Sequence, residues 1–188
     1  MQRLRLVAPG ISAARRNNHV TLLKVAAIPA LLERFGVAVP EPHRRDDATV
    51  WDLELDGERR RALRLSLIHD ARPGGVIVVW AHLAPPLGDG LRKAYRRLLE
   101  WNDKYLFAKF GIAEDGRPVL SIELRAEQAT ESDVVEALAR TVLIADRLLD
   151  ETAAWIWIGG RIPADDGSPR RNQPLLRAIP DLAERLEG

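Results

Sequence analysis

Apolar residues recur at helical spacing across residues 21–35, with Val25, Ile28, Leu31, Leu32 and Phe35 on one stripe. Gly36 follows and suits the left-handed residue that closes a helix. Pro29 either kinks this helix or sits in the first turn of a shorter one. Residues 39–47, with two prolines and mixed charges, read as a loop. The pattern then switches to period two. Trp51, Leu53 and Leu55 alternate with Asp52, Glu54 and Asp56, and Leu63, Leu65 and Leu67 alternate with Ala62, Arg64 and Ser66. Both runs read as half-buried strands. If the two apolar sets share a face, paired residue numbers must sum to an even value. A two-residue Asp-Gly turn would break that rule and set Arg60 beside Leu53. A loop of odd length is expected instead, with Gly57 in a left-handed bulge position.

A turn at residues 71–75 leads to a third strand over 76–83, apolar on both parities. Such a run belongs inside a sheet with both faces covered. Pro85-Pro86 stops it. Helix returns over 91–101, with Leu91, Ala94, Tyr95, Leu98 and Trp101 as the buried stripe and Arg92, Lys93, Arg96 and Arg97 mostly off it. A second hairpin follows: Leu106, Ala108, Phe110 and Ile112, the turn Glu114-Asp115-Gly116, then Leu120, Ile122 and Leu124. Parity again requires an odd loop, and three loop residues set Phe110 opposite Leu120. The last long helix opens at Thr130, with Asp133 as its capping-box partner. Its stripe is Val134, Leu138, Val142, Ala145, Leu149, Thr152 and Ile156, and Gly159-Gly160 ends it. Residues 161–188 are rich in Pro, Arg and Asp, with a short helix expected over 175–186.

The predicted order is αβββαββα. Short connections between successive strands imply antiparallel pairing. One stripe per helix implies an α+β fold, a five-stranded antiparallel sheet with helices packed on one face. The expected division is a flexible N-terminal extension over 1–18, an α+β domain over 19–158 and a Pro/Arg-rich tail over 159–188.

The 188 residues are 46% hydrophobic and 29% charged, which suits one globular domain with its own core. No apolar run approaches the roughly 20 residues that span a bilayer. The basic N-terminus has no apolar core of a signal peptide, so no membrane or export role is expected. There are no cysteines, which excludes disulfides, thiol catalysis and cysteine zinc sites and fits a cytoplasmic location. A net charge of +1 argues against a chain tuned for polyanions.

Candidate chemistry is sparse. His19, His43, His69 and His82 make no close metal-ligand spacing, and the serines lack a nucleophile-elbow context. No Gly-rich phosphate loop follows a strand. A hairpin could set His69-Asp70 near His82, but these read as solvated strand ends, and Gly88-Asp89-Gly90 reads as a helix cap. Asp46-Asp47 and Asp165-Asp166 read as solvated loop carboxylates. No catalytic group, metal or cofactor is assigned. If Leu63, Leu65 and Leu67 face the helices, Arg64, Ser66 and Ile68 face away. One parity of the next loop adds Val76, Val78, Trp80 and His82 to that outer face. An apolar patch holding a Trp marks an interface. Trp157 lies off the last helix's stripe and is either a docking anchor or a cover for the tail.

The segment Leu98-Leu99-Glu100-Trp101-Asn102 runs into Phe107-Ala108-Lys109-Phe110-Gly111-Ile112-Ala113-Glu114-Asp115-Gly116-Arg117-Pro118-Val119-Leu120. The acidic helix start at residues 131–133 follows. This progression, within roughly residues 20–157, resembles the YbjN family of bacterial proteins, whose fold is like that of type III secretion chaperones. The resemblance implies a non-enzymatic, chaperone-like homodimer that holds a client or regulatory protein, in a stress response. The partner or dimer surface would then be Ile68, Val76, Val78, Trp80, His82 and Trp157, with a basic rim of Arg64, Arg92, Arg96 and Arg97. The alternative is a nucleic-acid-associated module that uses the arginine clusters at 59–64 and 92–97.

Overall fold

Pro29 sets the start of the first helix. A 3-10 turn, Val25–Ala27, leads into α1, Ile28–Arg34, and Pro29 occupies its first turn, where no intrahelical N–H is required. Gly36, at φ 72°, closes the segment. Any side chain there would also run into the Arg171 carbonyl oxygen, 2.7 Å from the Cβ position. The computed structural model describes residues 22–88 and 91–186, apart from the side chains of Leu91 and Arg92. The expected extension over 1–18 lies outside the described residues.

The described strands are β1, His43–Arg45, β2, Ala48–Leu55, β3, Leu63–Asp70, β4, Val76–His82, β5, Lys109–Ile112, and β6, Pro118–Arg125. They form one antiparallel sheet of six strands, in the order β1-β2-β3-β4-β6-β5. The expectation of five strands is corrected by β1. It lies in the segment read as a loop, turned back onto β2 by Asp46 at φ 50°. All three of its residues are exposed, so burial leaves no alternation for the sequence to show.

The parity rule holds in both hairpins. Leu53 pairs with Leu65 and Leu55 with Leu63 across an odd loop, residues 56–62. Phe110 pairs with Leu120, and the Ala113 N–H donates to the Arg117 carbonyl at 2.8 Å, which leaves Glu114, Asp115 and Gly116 as the turn. The left-handed residue of the first loop is Ala62, at φ 50°, not Gly57. Its N–H donates to Asp56 Oδ1 at 3.0 Å, which holds it there. Gly57 serves close approach: a Cβ would stand 2.4 Å from Asp146 Oδ1.

β4 runs between β3 and β6, inside the sheet as expected, but only one of its faces is fully covered. Ile77, Val79 and Ala81 are buried, whereas Val76, Val78, Trp80 and His82 are half-buried. The inner face packs with the helices into one core.

α2, Leu91–Lys104, buries Ala94, Leu98, Trp101 and, just past its end, Tyr105. Tyr95, assigned to the buried stripe, is 51% exposed, because the stripe follows the 94-98-101-105 spacing. Leu106 is likewise not a strand residue. It is exposed, Phe107 turns the chain at φ 62°, and β5 starts at Lys109. The Asn102 side chain ties the helix end to β5, accepting from the Phe110 N–H at 2.8 Å and donating to the Phe110 carbonyl at 3.0 Å.

α3, Glu131–Arg147, opens on the expected Thr130–Asp133 capping box. The long last helix is not continuous. Leu148 leaves helical geometry, and α4, Leu149–Ile156, follows. There the Thr152 hydroxyl donates to the Leu148 carbonyl at 2.8 Å, a back-bond that bends helices. Two short helices then complete the described chain, α5, Gln173–Arg177, and α6, Leu182–Arg185. Leu175, Leu182 and Leu186 are buried in the core.

Candidate functional site

Register places the outer sheet face. Ile68 pairs with Val78, Ser66 with Trp80, and Trp80 with Ser121, so Ile68, Val76, Val78, Trp80 and His82 share that face. Val76, Val78, Trp80 and Ile68 are half-buried, and Val119 and Ser121 are shaded beside the larger His82 and Trp80. Polar groups border the strip: Ser66 Oγ donates to Asp52 Oδ1 at 2.6 Å, and Lys109 pairs with Glu123 at 2.8 Å. The structure thus brings Ile68, Val76, Val78, Trp80 and His82 together but not Trp157, and of the expected basic rim Arg96 and Arg97 lie on α2, which packs against the other face. Trp157 lies apart, half-buried in a hollow with Arg59, Arg61 and residues 162–166 of the tail.

A second apolar surface escaped the sequence reading. Among the described residues, the exposed large apolar side chains include Tyr95, Leu99, Leu106 and Phe107, at 51%, 70%, 70% and 81%. All four lie between residues 95 and 107. Tyr95 and Leu99 are one turn apart on α2, an i,i+4 pair beside the buried stripe that was the available signal. Phe107 borders a groove of about 620 Å³ between α3 and strands β5 and β6, and its ring receives the Arg140 guanidinium at 5.7 Å.

The arginine clusters are largely spent within the chain. Arg59 makes a two-pronged pair with Asp150 at 2.7 and 2.8 Å. Arg61 reaches Asp165 at 2.8 Å and the Ser168 carbonyl at 2.6 Å. Arg96 and Arg97 both bind Glu100 at 3.0 Å. The Arg92 side chain lies outside the described residues. Phosphate-tracking surfaces need cations facing solvent without such partners. Arg64 is exposed and has no partner among the described residues. Arg60 is buried, and burial pushes its guanidinium down to about 10, still protonated at neutral pH.

The loop 56–62 is clamped by a polar network that sequence reasoning did not find. Asp146 Oδ1 accepts from the backbone N–H groups of Arg59 at 2.8 Å and Arg60 at 2.6 Å. The fully buried Asn172 donates to the Asp56 carbonyl at 2.9 Å and accepts from the Asp56 N–H at 2.7 Å. Burial alone raises the Asp56 carboxyl, but hydrogen bonds from Arg171 and the Ala62 N–H outweigh it and hold the group below its ordinary value.

His69-Asp70 and His82 do not approach each other, in line with their reading as separate strand ends. His69 pairs with Ile77, at the far end of β4 from His82. Burial and the neighbouring Arg117 push the His82 imidazole below its ordinary value, so it is neutral at pH 7. Asp165 and Asp166 are bound to Arg61 rather than simply solvated. No cluster of metal-ligating side chains occurs among the described residues, and none of their helices is long and apolar enough to cross a membrane.

No curated protein matches the chain. The family model YbjN, described as "Putative bacterial sensory transduction regulator", matches residues 25–153. That span runs from the 3-10 turn before α1 into α4 and takes in all six strands. With more than half of its length matched, the chain belongs to the YbjN family.

Proposed function

We propose that the chain is a non-catalytic regulator that works by binding polypeptide, as a chaperone-like homodimer holding a client or regulatory protein. One observation carries this reading: four large apolar side chains stay exposed within residues 95–107. Soluble monomers rarely gather such groups without an interface to cover them. Tyr95 and Leu99 of α2 serve the second copy. Antiparallel two-fold pairing of α2 sets the Tyr95 and Leu99 side chains of one copy against those of the other. The outer sheet face, with Trp80 at its centre, serves the client, and Arg64 stands at its rim. A nucleic-acid role is the weaker reading, because Arg59, Arg61, Arg96 and Arg97 are already paired.

Photo-cross-linking in cells tests both surfaces. A photoreactive side chain is placed at position 80, at position 99 and, as control, at the exposed Glu127. The expected result is an adduct of twice the chain's mass from position 99, a discrete hetero-adduct from position 80, and neither from position 127. Absence of adducts from positions 80 and 99, or one pattern shared by all three positions, overturns the reading.

A further inference from the structure

Where β4 ends, the chain gathers positive charge of which the protein-binding reading uses only Arg64. A cavity of about 360 Å³ opens there, lined by Arg60, Arg64, His82 and Arg117 together with the apolar Pro85, Pro86 and Ile156. No carboxylate lines it. Arg60 is only 8% exposed, and Asp146, which holds the Arg59 and Arg60 N–H groups, offsets its charge through space without an ion pair to its guanidinium. Arg60 Nη2 donates to the Leu83 carbonyl at 2.9 Å, which fixes the guanidinium plane, while Nη1 is buried with no partner.

The same corner holds most of the unmatched buried side-chain polarity among the described residues. Among the described residues, the buried side-chain atoms without a hydrogen-bond partner are Trp51 Nε1, Arg60 Nη1, His82 Nδ1 and Arg117 Nε. Three of these four belong to residues that line this cavity. A buried polar group without a partner costs on the order of 1–3 kcal/mol, and a charged one costs more. Three such groups belong to residues that meet at this cavity, so the corner concentrates cationic side chains with unmatched polarity.

The nearby carboxylates do not supply the missing acceptors. Asp115 Oδ2 stands 2.9 Å from Arg117 Nε but is not aligned to accept its hydrogen, so it offsets charge without satisfying the donor. In the adjoining groove, Glu54 is bound to Arg171 at 2.9 Å and Asp52 to Ser66 at 2.6 Å. Residues 1–21 contain no Asp or Glu at all.

We propose that this corner binds the oxyanion of a small organic molecule. The phosphate or carboxylate sits among Arg60, Arg64, His82 and Arg117, and the apolar body rests on Pro85, Pro86 and Ile156. Planar guanidinium forks suit such anions. The two prolines have no N–H and make an apolar wall. The volume falls within the range of small-molecule sites, about 300–1,000 Å³. Ligand and protein partner would then meet on one face, because His82 belongs to the same outer row as Trp80.

NMR titration of the full chain with inorganic phosphate, phenyl phosphate and benzoate tests this. The expected result is saturable shifts at Arg60, His82 and Arg117, with an aromatic probe binding more tightly than inorganic phosphate. The stronger aromatic probe identifies the anionic group, phosphate ester or carboxylic acid. A bound anion also stabilises the imidazolium against Arg60, Arg64 and Arg117, in addition to Asp115 and Asp52, so His82 titrates at higher pH in the complex. Arg64→Gln removes an exposed, partnerless cation, so the thermal midpoint stays unchanged while affinity falls about tenfold, as for loss of one charge-assisted hydrogen bond. Shifts elsewhere, equal affinity for inorganic phosphate and both aromatic probes, or unaltered binding by Arg64→Gln would overturn the proposal.

Discussion

Removal of residues 161–188 is expected to leave a chain that does not fold cooperatively. Leu175 and Leu182 are 0% exposed and Leu186 is 8% exposed, packed with Leu31, Leu32 and Leu138 in the same core. Burying a leucine is worth about 1.5–3 kcal/mol. Three of them, with the buried Asn172 clamp, approach the whole stability of an ordinary domain, about 5–15 kcal/mol. The loss also strips the Asp56 carboxylate of its Arg171 partner and opens the surface of α3. The measurement is thermal unfolding by circular dichroism. A broad, non-cooperative melt is expected. A sharp transition within a few degrees of the intact chain would show that the tail is an appendage.

Substitution of Asp56 by alanine is expected to cost about 2–3 kcal/mol, since two backbone N–H groups lose their acceptor at about 1 kcal/mol each and the Arg171 pair is broken. The groups concerned are Ala62 N–H at 3.0 Å, Arg171 N–H at 3.3 Å and Arg171 Nε at 3.2 Å. For a chain of this size the thermal midpoint falls by roughly 5–10 °C. Ala62, held at φ 50° by that carboxylate, loses its restraint and the loop 56–62 loosens first. The pH dependence follows from the direction of the shift. The folded carboxyl is held below its ordinary value, so the unfolded state binds the proton more readily. The stabilisation is complete above the unfolded value, about pH 4, and is lost as pH falls through the folded value. Wild type and Asp56→Asn should therefore differ by a constant amount between pH 5 and pH 8 and converge below about pH 4. A gap that stays constant down to about pH 2 would contradict the role given to Asp56.

The parts of the fold that the chain announced in advance are those set by alternation. Leu53 opposite Leu65 and Phe110 opposite Leu120 follow from parity alone, because a one-residue slip would turn every apolar side chain to the wrong face. The Thr130–Asp133 cap was legible for a similar reason, since it is local. What stayed hidden depends on distant partners. β1 has three exposed residues and no burial to pattern it. Gly57 was read for its backbone freedom, whereas its purpose is to clear Asp146, distant in sequence. The tail looked polar because its three core leucines are spread thinly among Pro, Arg and Asp.

The candidate surfaces divide the same way. The outer row from Ile68 to His82 was one of two parities that strand alternation allowed, and the β3–β4 register selects it. Tyr95 was misplaced because it is adjacent to Ala94, and one residue of rotation on α2 separates core from surface. The cationic corner was invisible in sequence. Arg60, His82 and Arg117 come from a loop, a strand end and a hairpin turn, and only the sheet brings them to one cavity.

Sedimentation equilibrium of the purified chain and of Leu99→Glu, over a range of concentrations, tests the interface reading most directly. Twice the chain's own mass for the wild type, and a single chain mass for Leu99→Glu with an unchanged thermal midpoint, is the predicted result. A wild-type chain that stays monomeric at every concentration, or a Leu99→Glu variant that still doubles, would contradict it.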